Sequence, residues 1–491
     1  MSRGCVGDEG RVATVVRADD VATFSSTSAG HLVVFDGRLG PLRTELMLAG
    51  PFDRIEDHAG GAATAKRLPE LLLALRRGGV LSVVLPGAGS ARARVDVAVA
   101  ECVELGWAEV VAADPSVPAS MRVELRALTG TLALVREQQM DRLLASVPET
   151  GREIHRVAGE SDPATTIGSF RSPDLVLREL ADVICAPRML CVQGARVLSP
   201  SFRRPLQQRP VNKALDVVAP GRARDPGLRA QEHLPGAWYY LDNAVPSHFG
   251  HVVTEQLATT WAIEAAAAAH PDLRFLLYTR TGEFPRWHQR MLAAAGVDLD
   301  RVTARVVTEG PVAVEHLLAA TPGYAVGQYA HPLLRELYPA VGDRLAQNAS
   351  SPTGRRIFWT RDSPKRACRN RAEVEARFAA AGFDVLAPES LDIAEQIAAV
   401  RSADVVAGFS GSNMFHVAFA PQLRQVIALA STTYPADNEP FLTRLHGVPL
   451  SLLRGRALTE PSSASGIDLE AFHSDYEIDL ADVDSVLADL D

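Results

Sequence analysis

The chain has 491 residues, 47% hydrophobic and 22% charged, with a formal net charge of −9. That length exceeds what one core accommodates, so two or three domains are expected, and the composition excludes disordered and collagen-like classes. The negative balance argues against a general nucleic-acid binder, while a local basic site is compatible with it. Five cysteines (Cys5, Cys102, Cys185, Cys191, Cys368) are scattered and odd in number. None has zinc-ligand spacing, which points to a reduced, cytoplasmic setting. The opening MSRGCVGDEGRVATVV has no long apolar run of the secretory kind. No apolar stretch reaches the roughly 20 residues of a membrane helix, so stable membrane insertion is not expected.

In chain order, residues 1–145 read as an α/β domain. HLVVFDG and PFDRIED read as strands, and AKRLPELLLALRRGG as a helix stopped by Gly78 and Gly79. VLSVVL reads as a buried strand, RVDVAVAECVELG as a helix and WAEVVAAD as a strand, with MRVELRALTGTLALVRE as a hairpin around Thr129 and Gly130. Strand–helix alternation implies a mainly parallel sheet. The turn from Pro86 to Ser90 follows a strand and precedes a helix; it reads as a plain turn, with a phosphate loop as the alternative. The order of elements, with the phrases FD and GGVLSVVLPG, loosely resembles the C-terminal half of a class I methyltransferase fold. That resemblance implies a glycine-rich cofactor loop after the first strand. RVATVVRADDVATFSSTSAG contains none, so the domain is read as a scaffold without the cofactor loop.

Residues 138–173 read as a linker. Short β-like runs follow, then a Pro-rich basic stretch with Arg203, Arg204, Arg209, Lys213, Arg222 and Arg224. It reads as a solvated loop, or as a lid over an anion. From AWYYLDN onward strands and helices alternate again, giving one Rossmann-like lobe over 170–350 and another over 355–470, with a break at 348–354. A long helix is expected to start near Ser247 or Phe249. Residues 471–491 read as an acidic surface helix whose DVD and DLD are not metal motifs.

Three constellations carry chemistry. His251 and Glu255 are spaced i, i+4 and share a helical face beside His248, a workable general-base pair; a capping His with a surface Glu is the bland alternative. Arg361, Lys365, Arg366, Arg369 and Arg371 follow the apolar strand RIFWT, where an open α/β sheet gathers ligands. Arg forks suit phosphate, although a charge run is also an ordinary solvated face. Gly408-Phe409-Ser410-Gly411-Ser412-Asn413 joins a strand to a helix, offering N–H groups to an anion.

Together these features resemble glycosyltransferase family 61 over about 174–453. SHFGHVVTEQLATTWA carries His251, Glu255 and Trp261 at the family's positions, and RDSPKRACRNR carries Arg361, Arg366 and Asn370. PESLDIAEQ carries Glu389, Glu395 and Gln396. GFSGSNMFHVAFAP carries Gly408, Gly411, Ser412, Phe419 and Pro421. Ser410 stands where a His is common, His416 where an Asn is, and Arg371 where a Glu is. The resemblance implies a GT-B-like pair of Rossmann-like domains beside the extra N-terminal α/β domain. It also implies inverting, metal-independent transfer from a nucleotide sugar to a hydroxyl of a glycan or small molecule, with no cofactor and no nucleic-acid partner. On that reading His251 is the base, oriented by Glu255, with His248 its rival. Arg361, Arg366, Ser410, Gly411, Ser412 and Asn413 hold the diphosphate, and Asn370 and Glu389 the nucleoside. A homodimer is left open. The alternatives are an S-adenosylmethionine-dependent methyltransferase run by the N-terminal domain, and a non-catalytic sugar-nucleotide-binding scaffold.

Overall fold

The structure is a computed structural model that describes residues 11–21, 30–111, 122–146, 151–162, 170–349, 354–361, 365–435, 438–459 and 468–490. The glycine-poor stretch at 22–29, part of the 138–173 linker and most of the 348–354 break lie outside them. The fold is α/β. The chain groups into two units, one of residues 1–152, 180–235 and 310–316, the other of 153–179, 236–309 and 317–491. Among the described residues no helix is long and apolar enough to cross a membrane.

In the first unit Val12–Arg17 is an inner strand, next to one edge of a six-stranded sheet. It pairs in parallel with His31–Phe35 and with Phe52–Asp57, which pairs in parallel with Leu75–Val84. Arg122–Ala127 closes the sheet, antiparallel to both Leu75–Val84 and Ala108–Val111. Val15, Ile55 and Leu81 point into a core that also takes Leu46, Leu68 and Leu71 from the helices.

Two local expectations change here. The helix ends at Leu72, and the residues before Gly78 and Gly79 open the strand Leu75–Val84 instead. A Cβ at Gly79 would lie 3.0 Å from the Asp53 carbonyl, so this glycine lets two strands approach. The expected hairpin at Thr129 and Gly130 is not one. Thr131–Leu134 leaves its neighbour and joins a different sheet, parallel to Arg196–Val197 and antiparallel to Arg222–Arg224. All four of its residues are buried, and a strand covered on both faces needs partners on both edges. This pairing explains why residues 180–235 group with the first unit. The basic stretch is accordingly not all loop. Arg222 is 3% exposed, and burial pulls its guanidinium down to about 10. The looser region after Gln138 also contains the helix Glu137–Ser146, with Met140 and Leu143 buried.

The second unit contains two parallel arrangements. Glu232–Tyr240 pairs with Arg274–Thr279, and that strand pairs with Val302–Val306. The other sheet has Asp384–Leu386, Arg356–Trp359, Val405–Phe409, Gln425–Ser431 and Leu450–Ala457 side by side and parallel. Ile357, Phe358, Trp359 and every residue of Val405–Phe409 are buried, as strands covered on both faces should be. One apolar cluster takes Tyr239, Val252, Phe275 and Tyr338 together with Ile357, Trp359, Ile397 and Phe419. The 348–354 break therefore does not divide the core. The C-terminal residues form more than a surface helix. Tyr476–Glu477 adds an antiparallel edge to Leu450–Ala457, and the helix Leu480–Ala488 buries Val483. Asp484, of the DVD triplet, pairs with Arg377.

Candidate functional site

The strand Glu232–Tyr240 delivers the chain to Ser247, which turns with φ of 58°. His248 precedes the helix in extended conformation. The helical run that follows is not uniform. It is α at Phe249–His251, π at Val252–Gln256, 3₁₀ at Leu257–Ala262 and α again at Ile263–Ala269. Such irregular turns are frequent at functional sites, and other groups meet the loosened carbonyls. The Tyr338 hydroxyl donates to the Val253 carbonyl at 3.0 Å, and the Thr254 hydroxyl to that of Gly250 at 2.8 Å.

The predicted pair forms on this run. His251 Nδ1 lies 2.7 Å from Glu255 Oε1, with the two side chains 15% and 9% exposed. Glu255 Oε2 accepts the Ala244 N–H at 2.8 Å. A carboxylate fixed at both oxygens holds the proton on Nδ1 and leaves Nε2 as the basic nitrogen. His248 stands edge-on to His251, ring centroids 5.1 Å apart.

The cationic cluster lies at the C-terminal ends of Arg356–Trp359 and Val405–Phe409. Arg361 Nη1 donates to the Ser410 carbonyl at 3.3 Å. Burial pulls its guanidinium down, and Arg366 adds to the shift by like-charge repulsion. The Arg366 guanidinium lies 4.2 Å from the Tyr434 ring centre and 5.2 Å from that of Phe472. Its Nε and Nη1 are buried without an acceptor among the described residues. Two like charges close enough to repel one another would be stabilised by an anion between them.

The turn at 410–413 is built on Gly411, whose φ of 151° suits glycine. Its N–H already donates to Glu439 Oε1 at 3.1 Å. Glu439 is 1% exposed, and burial pushes its carboxyl up against the opposing pull of the Gly411 N–H, the Ser410 hydroxyl and Arg366. What remains for a ligand are the N–H groups of Ser412 and Asn413 at the start of the 3₁₀ helix Ser412–Phe419, which its own ladder leaves unused. The Asn413 Nδ2 group is also buried without a partner among the described residues.

The two clusters touch. A Cβ at Gly250 would come within 2.9 Å of Phe415 Cε2 and 3.0 Å of Ser412 Cβ. Phe249 stacks on His416 at 4.6 Å. His416 is held between the Asn413 carbonyl, 2.7 Å from Nδ1, and Gln396 Oε1, 2.8 Å from Nε2; burial pulls it down to about 4. Gln396 in turn donates to the carbonyls of Pro388 and Leu391.

Other predicted residues sit elsewhere. Asn370 spends its amide on the backbone of Ile478, donating at 2.7 Å and accepting at 3.1 Å, so it anchors the C-terminal segment. Glu389 is exposed on the 3₁₀ turn Pro388–Ser390, within electrostatic reach of Arg361 but not bonded to it. Glu395 completes a capping box with Asp392. Trp261 donates its indole N–H to the Thr321 carbonyl. Sequence reasoning missed Glu439, Tyr434, Phe472 and His473. Among the described residues no group of three or more His, Cys, Asp or Glu is arranged to hold a metal ion.

Residues 249–427 match the family model described as Glycosyltransferase 61. That stretch belongs to glycosyltransferase family 61. The match starts at the residue before Gly250 and ends within Gln425–Ser431, so the family 61 stretch carries both His251–Glu255 and the cationic turn. Glu439, Phe472 and His473 lie beyond it. No curated protein matches the chain.

Proposed function

We propose that this chain is an inverting, metal-independent glycosyltransferase that moves a sugar from a nucleotide-sugar donor to a hydroxyl acceptor. The observation that carries the reading is the packing of Gly250 on Ser412 and Phe415, which sets the His251–Glu255 pair beside the cationic turn. The two sheets of the second unit then act as GT-B-type lobes, the first serving the acceptor and the second the donor.

His251 Nε2 takes the proton of the acceptor hydroxyl while Glu255 stabilises the imidazolium that forms. The acceptor oxygen attacks the anomeric carbon from the face opposite the phosphate. The bond from that carbon to the phosphate oxygen breaks, and the nucleoside diphosphate leaves with the electron pair. Its growing charge is met by Arg361, Arg366 and the N–H groups of Ser412 and Asn413. His248 is the alternative base. Glu389, exposed at the rim near Arg361, is in reach of a nucleoside. The acceptor is a hydroxyl of a surface glycan or a metabolite, and the reaction is cytoplasmic.

The test is release of nucleoside diphosphate across a panel of nucleotide sugars and acceptors, with and without a chelator, and with the product anomer read by NMR. One donor should turn over with inversion, insensitive to chelation, and His251→Ala should lower turnover by roughly 10²–10⁴-fold. Retention of configuration or chelator-sensitive turnover would overturn the mechanism. Binding of a donor without turnover on any acceptor would favour a sugar-nucleotide-binding scaffold.

A further inference from the structure

Residues 468–478 lie outside the family 61 stretch, yet they fold back onto the cationic loop. The Asp468 carboxylate accepts the N–H groups of Glu470 and Ala471 and starts the helix Leu469–Phe472. The Arg366 N–H donates to the His473 carbonyl at 3.2 Å, and the Tyr476 N–H to the Ala367 carbonyl at 3.0 Å. Asp475 accepts the Ala367 N–H at 2.9 Å and pairs with Arg369 at 2.7 Å. The backbone is thus fixed on both sides of His473, a residue whose side chain is left exposed. Its ring lies 5.0 Å from Phe472, and Phe472 packs on Tyr434 and on the Arg366 guanidinium.

The charges that act on this imidazole are those of Lys365, Arg366 and Arg361 from the loop opposite; desolvation and their repulsion pull it below its ordinary value, desolvation most. The phenols of Tyr434 and Tyr476, which face the same guanidiniums, are pushed up by burial and stay uncharged. On its own segment Asp475 is engaged by Arg369 and Ala367. Glu439 Oε1 accepts the Gly411 N–H, while its Oε2 is buried without a partner among the described residues, and Glu389 acts on Arg361 from the exposed rim. Arg366 keeps two buried N–H groups without an acceptor among the described residues.

We propose that His473 is a further ligand of the donor's pyrophosphate group, taking up a proton as that group binds and returning it as the group leaves. This rests on the reading of the cationic turn as the donor site. A polyanion placed among Arg361, Lys365 and Arg366 cancels their repulsion of the imidazolium and adds its own attraction, so the charged form becomes favoured. The protonated ring donates an N–H to a phosphate oxygen, and no bond is made to the ring. The proton comes from solvent, so affinity for the pyrophosphate group falls as pH rises through the value His473 has in the complex.

Isothermal titration calorimetry on the full chain tests this with inorganic pyrophosphate and with UDP, GDP and CDP. Each is titrated in two buffers of different ionisation enthalpy, into the wild type, His473→Gln, His473→Asn and Arg361→Ala. The wild type should take up more protons on binding than either His473 variant. It should also bind about tenfold more tightly at pH 6.5, a gap that closes by pH 8.5. Equal proton uptake and equal affinity in wild type and both variants would overturn the role of His473 and leave the donor site standing. Binding indifferent to Arg361→Ala, or no binding of any of these anions by the wild type, would overturn the donor-site reading, and this proposal with it. Thermal melts within a few degrees of wild type show that the variants remain folded.

Discussion

Each unit has a run of parallel strands with charged residues at their C-terminal ends, and the two ends are built differently. In the first unit the two aspartates at these ends are each matched by an arginine. Asp36 pairs with Arg38, and Asp57 with Arg67, a bidentate pair with both side chains 1% exposed and the guanidinium over the Phe35 ring at 4.6 Å. In the second unit like charges gather. Arg361 and Arg366 repel one another, and the buried carboxylate within reach of Arg366, Glu439, accepts the Gly411 N–H through one oxygen. Topology by itself thus does not make a binding site; the difference lies in which charges are left for a ligand to complete. An anion at the second end would relieve repulsion already present.

The largest expected effect separates chemistry from binding. His251→Ala should lower kcat by roughly 10²–10⁴-fold with donor affinity unchanged, since in the proposed mechanism His251 meets the acceptor proton and not the diphosphate. Initial rates together with donor titration check it. Full activity would remove His251 from the base role and turn attention to His248.

Next comes the balanced end. Arg67→Ala leaves Asp57 buried and unpaired, which should cost about 3–5 kcal/mol of stability, a large share of the roughly 5–15 kcal/mol a folded protein has. Urea unfolding would show it, and nucleotide binding measured below the unfolding transition should be intact. A loss of nucleotide binding in the folded variant would break the contrast between the two sheet ends.

The third concerns pH. His416 and His288 are both buried and both pulled down to about 4, desolvation being the main cause. In the unfolded chain each binds a proton near its ordinary 6.5, so between about pH 6.5 and 4 the unfolded state holds more protons. Stability therefore falls as pH drops through that window, by up to about 3 kcal/mol for each ring. His416→Asn should flatten this acid limb relative to wild type in urea titrations at pH 7.5 and 5. An unchanged slope would mean that His416 is not neutral and buried in solution.

How much of this was legible in the sequence depends on distance along the chain. RIFWT and DVVAGF announced buried strands by continuous apolar character, and i, i+4 spacing placed His251 on Glu255. Both signals are local. Glu439 and His473 gave none, because their positions come from the contact with Gly411 and from a C-terminal segment folding back on the loop at Arg366. Asn370 shows the converse. Its place in a motif suggested ligand contact, and its amide is consumed by Ile478. The hairpin read at Thr129–Gly130 failed for a related reason: alternation marks a strand but does not name its partner.

The smallest effect addresses the contact that joins the two clusters. Gly250→Ala puts a methyl 2.9 Å from Phe415 Cε2 and 3.0 Å from Ser412 Cβ, and such overpacking typically costs about 1–3 kcal/mol. The least costly relief is a small separation of the helix start from the Ser412 turn, which moves His251 away from the proposed donor site. Because the reaction needs the base and the anomeric carbon in one geometry, kcat should drop about tenfold with little change in melting temperature. Gly40→Ala in the first unit is the matched control. Apart from its two chain neighbours, nothing lies within 4 Å of its Cβ. It opens the helix Leu39–Ala49 directly before Pro41, where a Cβ disfavours helical backbone. It should leave kcat unchanged while lowering stability slightly. Should both substitutions leave kcat alone, the contact at Gly250 would be packing only, and the His251–Glu255 pair would have to reach the donor by some other approach.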